Sequence, residues 1–535
     1  MSKQLTITPE EMRKPGNLSF RDIPVNSYQK SVKDEIGNFR TEEFMNIYRD
    51  MLYIREFETM LNLIKTTSEY EGISYNHPGP AHLGIGQEAA YVGEAFHLTI
   101  DDYIFGSHRS HGEILAKGLR AIEILDEEKL TEIMENFFEG RILKVVKESG
   151  KTIKEIGRDF LLYGTMCEIF ARENGFNKGM GGSMHAFFTP FGIYPNNAIV
   201  GGSGDISVGA AMYKLINKKP GVVVCNIGDG SLGCGPVWEG LMMAVMDQCK
   251  TLWGENGGGM PIIFNINNNF YGMGGQTCGE TMGYGMPARI AAGISSTQLH
   301  AERVDGFNPL AVIDAYKRKL PVAKEDGPVL LDVVTYRFSG HSPSDSSSYR
   351  TKEEIEAWEN ADSIVAFRKQ LIEAGVCTEK EIESVTSQVK ADILRNFKLS
   401  IDEKISPRTD IFGTQQNFIS DLMFSNQEVR SFDQSREPDV LLPKEECPRV
   451  KQLASKERSG FDKNGKPVSK NKVYQLRDGI AEPIINKYYE DSTLVSYGED
   501  VRDWGGAFAV YRGMTEAIPY HRLFNSPISE AAIVG

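Results

Sequence analysis

"VVVCNIGDGSLGCG", residues 222–235, sets Asp229 between two glycines directly after an apolar run. "PIIFNINNNFYGMG", residues 261–274, ends a second apolar run in asparagines 267–269. Continuous β-branched runs of this kind read as strands buried on both faces, which belong to a parallel sheet. In such sheets ligands sit beyond the carboxyl ends of the strands. "SLGCGPVWEGLMMAVM" (231–246) reads as a helix following Asp229, and a helix N-terminus favours anions. An acid at that place repels a bare phosphate unless a cation lies between them. Magnesium takes hard oxygen ligands in an octahedron and bridges to phosphates through one or two carboxylates. Asp229, the amide oxygen of Asn269 and the main-chain carbonyl of Tyr271 are the candidate ligands. Two other readings stay open. "GDGSLG" satisfies G-x-G-x-x-G with Gly228, Gly230 and Gly233, which suits a dinucleotide. That reading wants an acid ending the next strand, whereas asparagines stand there and Asp247 falls in the intervening helix. Alternatively, Asp and Asn occupy these places only because they suit turns.

Outward from these stretches, the pattern is α/β throughout. "PVLLDVVTYRF" (328–338) is a third buried strand, and "TEEFMNIYRDMLYIREFETMLNLIK" (41–65) reads as a long amphipathic helix. A second helix-rich region covers 110–175, and Thr351 with Glu354 opens a helix in capping-box fashion. The expected fold is a doubly wound parallel sheet flanked by helices, followed by the start of a second α/β domain. The boundaries read from the sequence are an N-terminal extension over 1–40, the main domain over 41–399, a polar, turn-rich linker over 400–470, and an incomplete domain over 471–535.

A chain of 535 residues is too long for one core. The net charge of −14 argues against a nucleic-acid binder. No stretch is apolar for long enough to span a bilayer. Seven scattered cysteines without a C-x-x-C pair suit a reducing compartment, and the N-terminus lacks an apolar signal region. The expectation is a cytoplasmic protein with neither membrane nor nucleic acid among its partners.

With the two strand ends placed, the chain resembles the thiamin-diphosphate-dependent, decarboxylating component of 2-oxo acid dehydrogenase complexes. "AHLGIGQEAAYVGEAF" (81–96), "HRSHGEILAKG" (108–118), "KGMGGSMHAFF" (178–188), "NAIVGGSGDISVGAA" (197–211), "VDGFNPLAVIDA" (304–315) and "TYRFSGHSPSDSSSYRTKEEIEAW" (335–358) fall in that family's order. The tail, from "LVSYGEDVRDWGGAF" (494–508) to "PISEAAIVG" (527–535), resembles the beginning of the family's β subunit, so the chain looks like a fused α and partial β form.

The resemblance implies thiamin diphosphate and Mg2+ as cofactors. It assigns the metal to Asp229, Asn269 and the Tyr271 carbonyl, and the diphosphate to Arg109 and to the Gly228–Gly230 turn. It also implies that the Val200 main chain meets the cofactor's amino substituent and that Glu530 bonds its aminopyrimidine ring. His341 would meet bound substrate from a mobile loop, and the resemblance makes His341, Glu530 and His111 the expected catalytic residues; His111 and His185 match positions near the cofactor. His108 stands where the family often has Tyr, and residues 249–259 look like an insertion. The implied partners are a 2-oxo acid and the lipoyl domain of a dihydrolipoyl acyltransferase, with a homo-oligomer of fused α–β chains. The implied reaction is oxidative decarboxylation of pyruvate or a branched-chain 2-oxo acid. Acetoin cleavage and a non-catalytic assembly role are the other readings kept open beside the NAD-dependent one.

Overall fold

The computed structural model describes residues 7–253, 258–283, 285–295, 298–410 and 437–535. They form two compact units: residues 19–245 with 258–424, and residues 425–535 with 1–18 and 246–257.

Eight of the ten strands define the larger unit. A small hairpin, β1 (Glu69–Tyr70) and β2 (Ile73–Ser74), stands apart from the six-stranded sheet. The sheet strands are β3 (Tyr103–Phe105), β4 (Ile193–Tyr194), β5 (Val223–Gly228), β6 (Ile262–Asn268), β7 (His300–Asp305) and β8 (Val329–Val334). Their order is β4-β3-β5-β6-β8-β7, and every pairing is parallel. From β3 the chain steps outward to β4, then returns to the other side of β3 as β5. The strand order therefore reverses between β3 and β5, and a crevice opens beyond their carboxyl ends. Loop 106–110 and Asp229 both lie at that point.

The helix Thr41–Thr66 differs from its expected amphipathic character. From Glu43 to Lys65 no side chain is exposed, so this helix is enclosed by its neighbours. Polar Asp50 and Glu58 are buried within it, which blurred the reading of a one-sided apolar stripe. Helices His111–Ile124 and Ile153–Ile169 fill the second helical region. Thr351 caps the helix Lys352–Glu359 by accepting the Glu354 N–H at 3.1 Å. The Glu354 carboxylate accepts instead from the Tyr271 and Tyr336 hydroxyls, at 2.7 and 2.8 Å.

The domain edges move relative to the sequence reading. Part of the N-terminal extension joins the sheet edge: Val25 bridges Arg303 on β7, and Asn26 N–H donates to the Arg303 carbonyl at 2.8 Å. Covering an edge strand in this way removes a template for unwanted pairing. Residues past 399 also belong to the larger unit, since Glu173 N–H donates to Pro407 O and the Tyr163 hydroxyl meets Ser406 Oγ. Residues 411–436 of the expected linker lie outside the described residues.

In the smaller unit, residues 437–470 are folded and not linker. Buried Asp478 holds Arg449 at 3.2 Å and Lys456 at 2.6 Å, which ties this segment to the helix Leu476–Glu490. Strands β9 (Ser496–Glu499) and β10 (Leu523–Ser526) pair in parallel above a core that includes Ile485, Tyr488, Met514 and Ile518. Trp253, from the segment read as an insertion, packs edge-on against Phe524 and donates to the His521 carbonyl. Polar composition concealed this folded segment, because its core contacts come from scattered single residues with no period. Among the described residues no helix is long and apolar enough to cross a membrane.

Candidate active site

Beyond the carboxyl ends of β3, β5 and β6 lies a cavity of about 450 Å3. Arg109, Val200, Gly228, Asp229, Gly230, Asn269, Tyr271 and His341 all line it, so residues spread over more than two hundred positions converge there. His185 is on the wall too, its Nδ1 paired with Asn196 Oδ1 at 2.7 Å.

Each group arrives by a short local device. β5 ends at Gly228, and the single turn Asp229–Ser231 lifts Asp229 into the crevice before the helix Gly235–Ala244 begins. The Thr277 hydroxyl donates to Asp229 Oδ2, and the Asn269 N–H approaches Oδ1 at 3.3 Å. β6 ends at Asn268, after which Phe270 adopts φ +67°. A left-handed conformation at an aromatic residue is uncommon and costs energy. Here it turns the chain so that Asn269 and Tyr271 both line the cavity, and the Tyr271 N–H donates to Asn269 Oδ1 at 3.2 Å. An amide oxygen has two lone pairs, so a metal can still be accepted there.

Arg109 is buried. It donates to the Leu83 carbonyl at 2.9 Å and the His341 carbonyl at 3.0 Å, and its guanidinium lies 3.2 Å from His341 Nδ1. Arg337, which sequence reasoning missed, approaches the same Nδ1 at 3.3 Å and donates to Gly272 O at 3.0 Å. Two guanidinium donors make that nitrogen an acceptor, so the proton of the neutral ring resides on Nε2. His82, His108 and His341 form a ring cluster with centroids 4.9, 5.1 and 5.7 Å apart. His82 Nδ1, His108 Nε2 and Arg337 Nε have no hydrogen-bond partner.

Electrostatically the cavity is short of negative charge. Among the described residues Asp229 is the one carboxylate in its wall, against two guanidiniums. Burial, then Arg337, pulls the Arg109 guanidinium down to about 10. Burial pushes the Asp229 carboxyl up to about 6, with Thr277, the Asn269 N–H and Arg337 pulling the other way. Burial and then Arg109 hold His82 and His341 down at about 4 and His108 at about 2. These neutral histidines predict a pH response. Below the ordinary value of 6.5 the unfolded chain takes up protons that the folded cluster refuses, so stability falls as pH drops from 6.5 towards 4. A melting-temperature series on wild type and His108→Gln checks it: the variant should lose less stability over that interval. Equal slopes would remove His108 from the account.

His111 is fully buried and does not line the cavity. Its Nδ1 meets Glu58 Oε1 at 3.1 Å and its Nε2 meets Ser183 Oγ at 2.8 Å, while Glu58 Oε2 accepts the Gly84 N–H. That chain fastens the helix Thr41–Thr66 to two loops of the site. His111 therefore stands off the cavity wall, held between Glu58 and Ser183. Glu530 belongs to the smaller unit, where it is the exposed first residue of the helix Glu530–Val534.

Other residues of the site carried weak sequence signals. Gln87 accepts from Asn269 Nδ2 at 3.3 Å and from the Thr335 hydroxyl at 3.1 Å, and stands inside a quoted motif. Arg337 lies just past the end of β8, a place where a cation beside a ligand crevice could have been suspected. Thr277 stands in a glycine-rich turn and gave no signal. The strand after β5 ends in asparagines, as expected, so an acid for a dinucleotide ribose is missing from that strand end.

The cavity's donors fit a polyanion carried with a divalent cation. Two unneutralised guanidiniums suit phosphate oxygens, and one carboxylate beside amide and carbonyl oxygens suits magnesium. Among the described residues no cluster of three or more His, Cys, Asp or Glu could hold a metal by itself. A metal here would therefore share its shell with the anion.

The model of the dehydrogenase E1 component matches residues 70–149 and 149–408, more than half of the chain. The pyruvate dehydrogenase E1 component subunit alpha of Rickettsia conorii is 26% identical over 382 residues, covering 71% of this chain and 98% of that protein. The corresponding subunit of Rhizobium meliloti is 28% identical, covering 71% and 91%, and the mitochondrial one of Schizosaccharomyces pombe 27%, covering 76% and 86%. The chain belongs to the dehydrogenase E1 component family and is a thiamin-diphosphate-dependent enzyme of 2-oxo acid oxidative decarboxylation.

Proposed function

We propose that the 2-oxo acid is pyruvate, that magnesium anchors the cofactor's diphosphate in this cavity, and that the acyl group leaves on the lipoyl group of an acyltransferase partner. The observation that carries the cofactor placement is the charge pattern: Asp229 alone against Arg109 and Arg337 at the strand-order reversal. Pyruvate is favoured by the alpha subunits to which the chain is similar.

Thiamin diphosphate, when bound, supplies the electron sink for loss of CO2. The chain's own groups do the rest. Asp229, Asn269 Oδ1 and the Tyr271 carbonyl hold the metal, and Arg109 and Arg337 hold phosphate oxygens. His341, kept neutral with its proton on Nε2, is a hydrogen-bond donor towards the substrate's carboxylate or carbonyl oxygen. Its Nδ1 cannot take a proton without losing both guanidinium donors. Val200, on the cavity wall, would offer its main chain to the cofactor's amino substituent. The smaller unit, which carries Glu530, reads as the start of a β-type domain.

The test is CO2 release from a panel of 2-oxo acids with an artificial electron acceptor, with and without lipoyl domain. Pyruvate should exceed branched-chain acids in kcat/KM by about ten-fold or more, the discrimination that a few methylenes in a fitted pocket provide. Preference for a branched-chain acid, or for acetoin, would replace pyruvate in this reading.

A further inference from the structure

Beneath the cavity floor lies a polar chain that the site's chemistry does not use. Glu113, in the first turn of the helix His111–Ile124, is 2% exposed. Its carboxyl accepts the Ser107 N–H at 3.1 Å, the Ser107 hydroxyl at 3.4 Å and Asn267 Nδ2 at 3.3 Å. Ser107 Oγ in turn accepts the Arg109 N–H at 3.1 Å. Glu94, 3% exposed, accepts Asn226 Nδ2 at 2.9 Å and Asn265 Nδ2 at 3.0 Å on its two oxygens. Asn265 also donates to Asn226 Oδ1 at 2.7 Å and Asn267 Oδ1 at 3.4 Å. The chain is continuous from the backbone of Arg109 to the helix Glu88–Ala95.

We propose that Glu113 and Glu94 are positioning residues that lock the Arg109 loop and the strand ends bearing Asp229 and Asn269 into one cradle for the magnesium diphosphate. The inference rests on the cofactor placement proposed above. Asn226 and Asn265 are register partners on β5 and β6, and Gly228 pairs with Asn267. Asn226 precedes Asp229 by three residues and Asn267 precedes Asn269 by two, so a shift in either strand moves a metal ligand. Strands buried on both faces are ordinarily apolar. Amides placed there cost free energy unless satisfied, and a slip of one residue would turn them to the wrong face. The network therefore fixes register where apolar packing alone would tolerate sliding. Gly106 fits the same purpose: a Cβ there would meet Glu113 Oε2 at 2.7 Å, so the loop can close over the carboxyl only with glycine.

The acids act through the hydrogen bonds they accept. Lys117, the nearest cation to Glu94, gives its ammonium protons to the Thr99 and Phe191 carbonyls. Burial pushes Glu94 up to about 7, and burial together with Glu94 pushes Glu113 well above the carboxylate range. Glutamine keeps the length and the hydrogen-bonding atoms, and Asn265, whose Oδ1 has no partner among the described residues, can turn to meet an amide; leucine keeps the bulk alone.

Isothermal titration of the full chain with thiamin diphosphate and Mg2+ tests this, with ligand-free melting temperatures measured alongside. Glu113→Leu and Glu94→Leu should bind about ten-fold or more weakly, while Glu113→Gln and Glu94→Gln stay within about three-fold of wild type. A merely structural role would lower the melting temperature and leave the Kd of the folded protein alone. Should a leucine variant not fold, Glu113→Asp, shorter by one methylene, should show the same weakened binding. Leucine or aspartate variants with unchanged Kd would overturn the clamp. Glutamine variants as weak as leucine would overturn a clamp made of hydrogen bonds alone. No binding by wild type sinks the cofactor placement and the clamp with it; wild-type binding undiminished in the variants sinks the clamp alone.

Discussion

Asp229→Ala should abolish the magnesium-dependent rise in melting temperature that thiamin diphosphate gives the wild-type chain. Asp229 is the cavity's one carboxylate, 1% exposed and already held by Thr277 and the Asn269 N–H. Removing it leaves the metal two neutral oxygens and the diphosphate, too little to hold a magnesium ion that usually needs at least one protein carboxylate beside the phosphates. Ligand at one hundred times its Kd stabilises the folded state by about 2.7 kcal/mol, and a hundred-fold loss of affinity removes nearly all of that. The ligand-free variant should melt close to wild type, because burial already disfavours the Asp229 charge. That separation of effects is what makes the substitution informative. Asp229→Asn should behave like Ala towards magnesium while keeping the shape of the turn, and NAD should stabilise neither. Stabilisation of Asp229→Ala equal to that of wild type would move the metal out of this cavity.

The sheet and the convergence of Asp229, Asn269 and Tyr271 were legible because they depend on local signals: buried apolar runs, and polar residues at the ends of those runs. Arg109 and His341 were legible through the resemblance, and the structure brings them into direct contact. Three things were not legible, each for a physical reason. The place of His111 off the cavity wall was not legible, since only the packed fold shows Glu58 and Ser183 on its two nitrogens. The folded state of residues 437–470 was hidden because its anchors, Arg449 and Lys456 on Asp478, are charged residues distant in sequence. The Glu94–Glu113 network was invisible because Asn226, Asn265 and Asn267 interrupt their strands at positions that become neighbours only once β5 and β6 are in register. Local pattern reveals what the backbone ends in; pairing decides what those ends touch.

Arg109→Lys should weaken diphosphate binding about ten- to hundred-fold and, with cofactor saturating, should also lower kcat. The first effect follows from geometry. A guanidinium offers a rigid planar fork, whereas an ammonium is a point charge that cannot reproduce two parallel bonds to phosphate. The second follows from what else Arg109 holds. Its guanidinium bonds the Leu83 carbonyl and the His341 carbonyl while facing His341 Nδ1, so one side chain ties the loop before Gln87 to the loop that carries the substrate-facing histidine. Lysine can serve one of those acceptors at a time. Arg337 should not compensate, since its nitrogens face His341 Nδ1, Gly272 O and the Tyr349 hydroxyl, whereas the Leu83 and His341 carbonyls are held by Arg109. Titration of cofactor and steady-state rates at saturating cofactor read the two effects separately. A variant with weakened Kd and unchanged kcat would leave Arg109 as a phosphate ligand and assign the posture of His341 to Arg337 and Asp345, whose carboxylate accepts the His341 N–H at 2.7 Å. A variant unchanged in both would take the diphosphate away from Arg109 altogether.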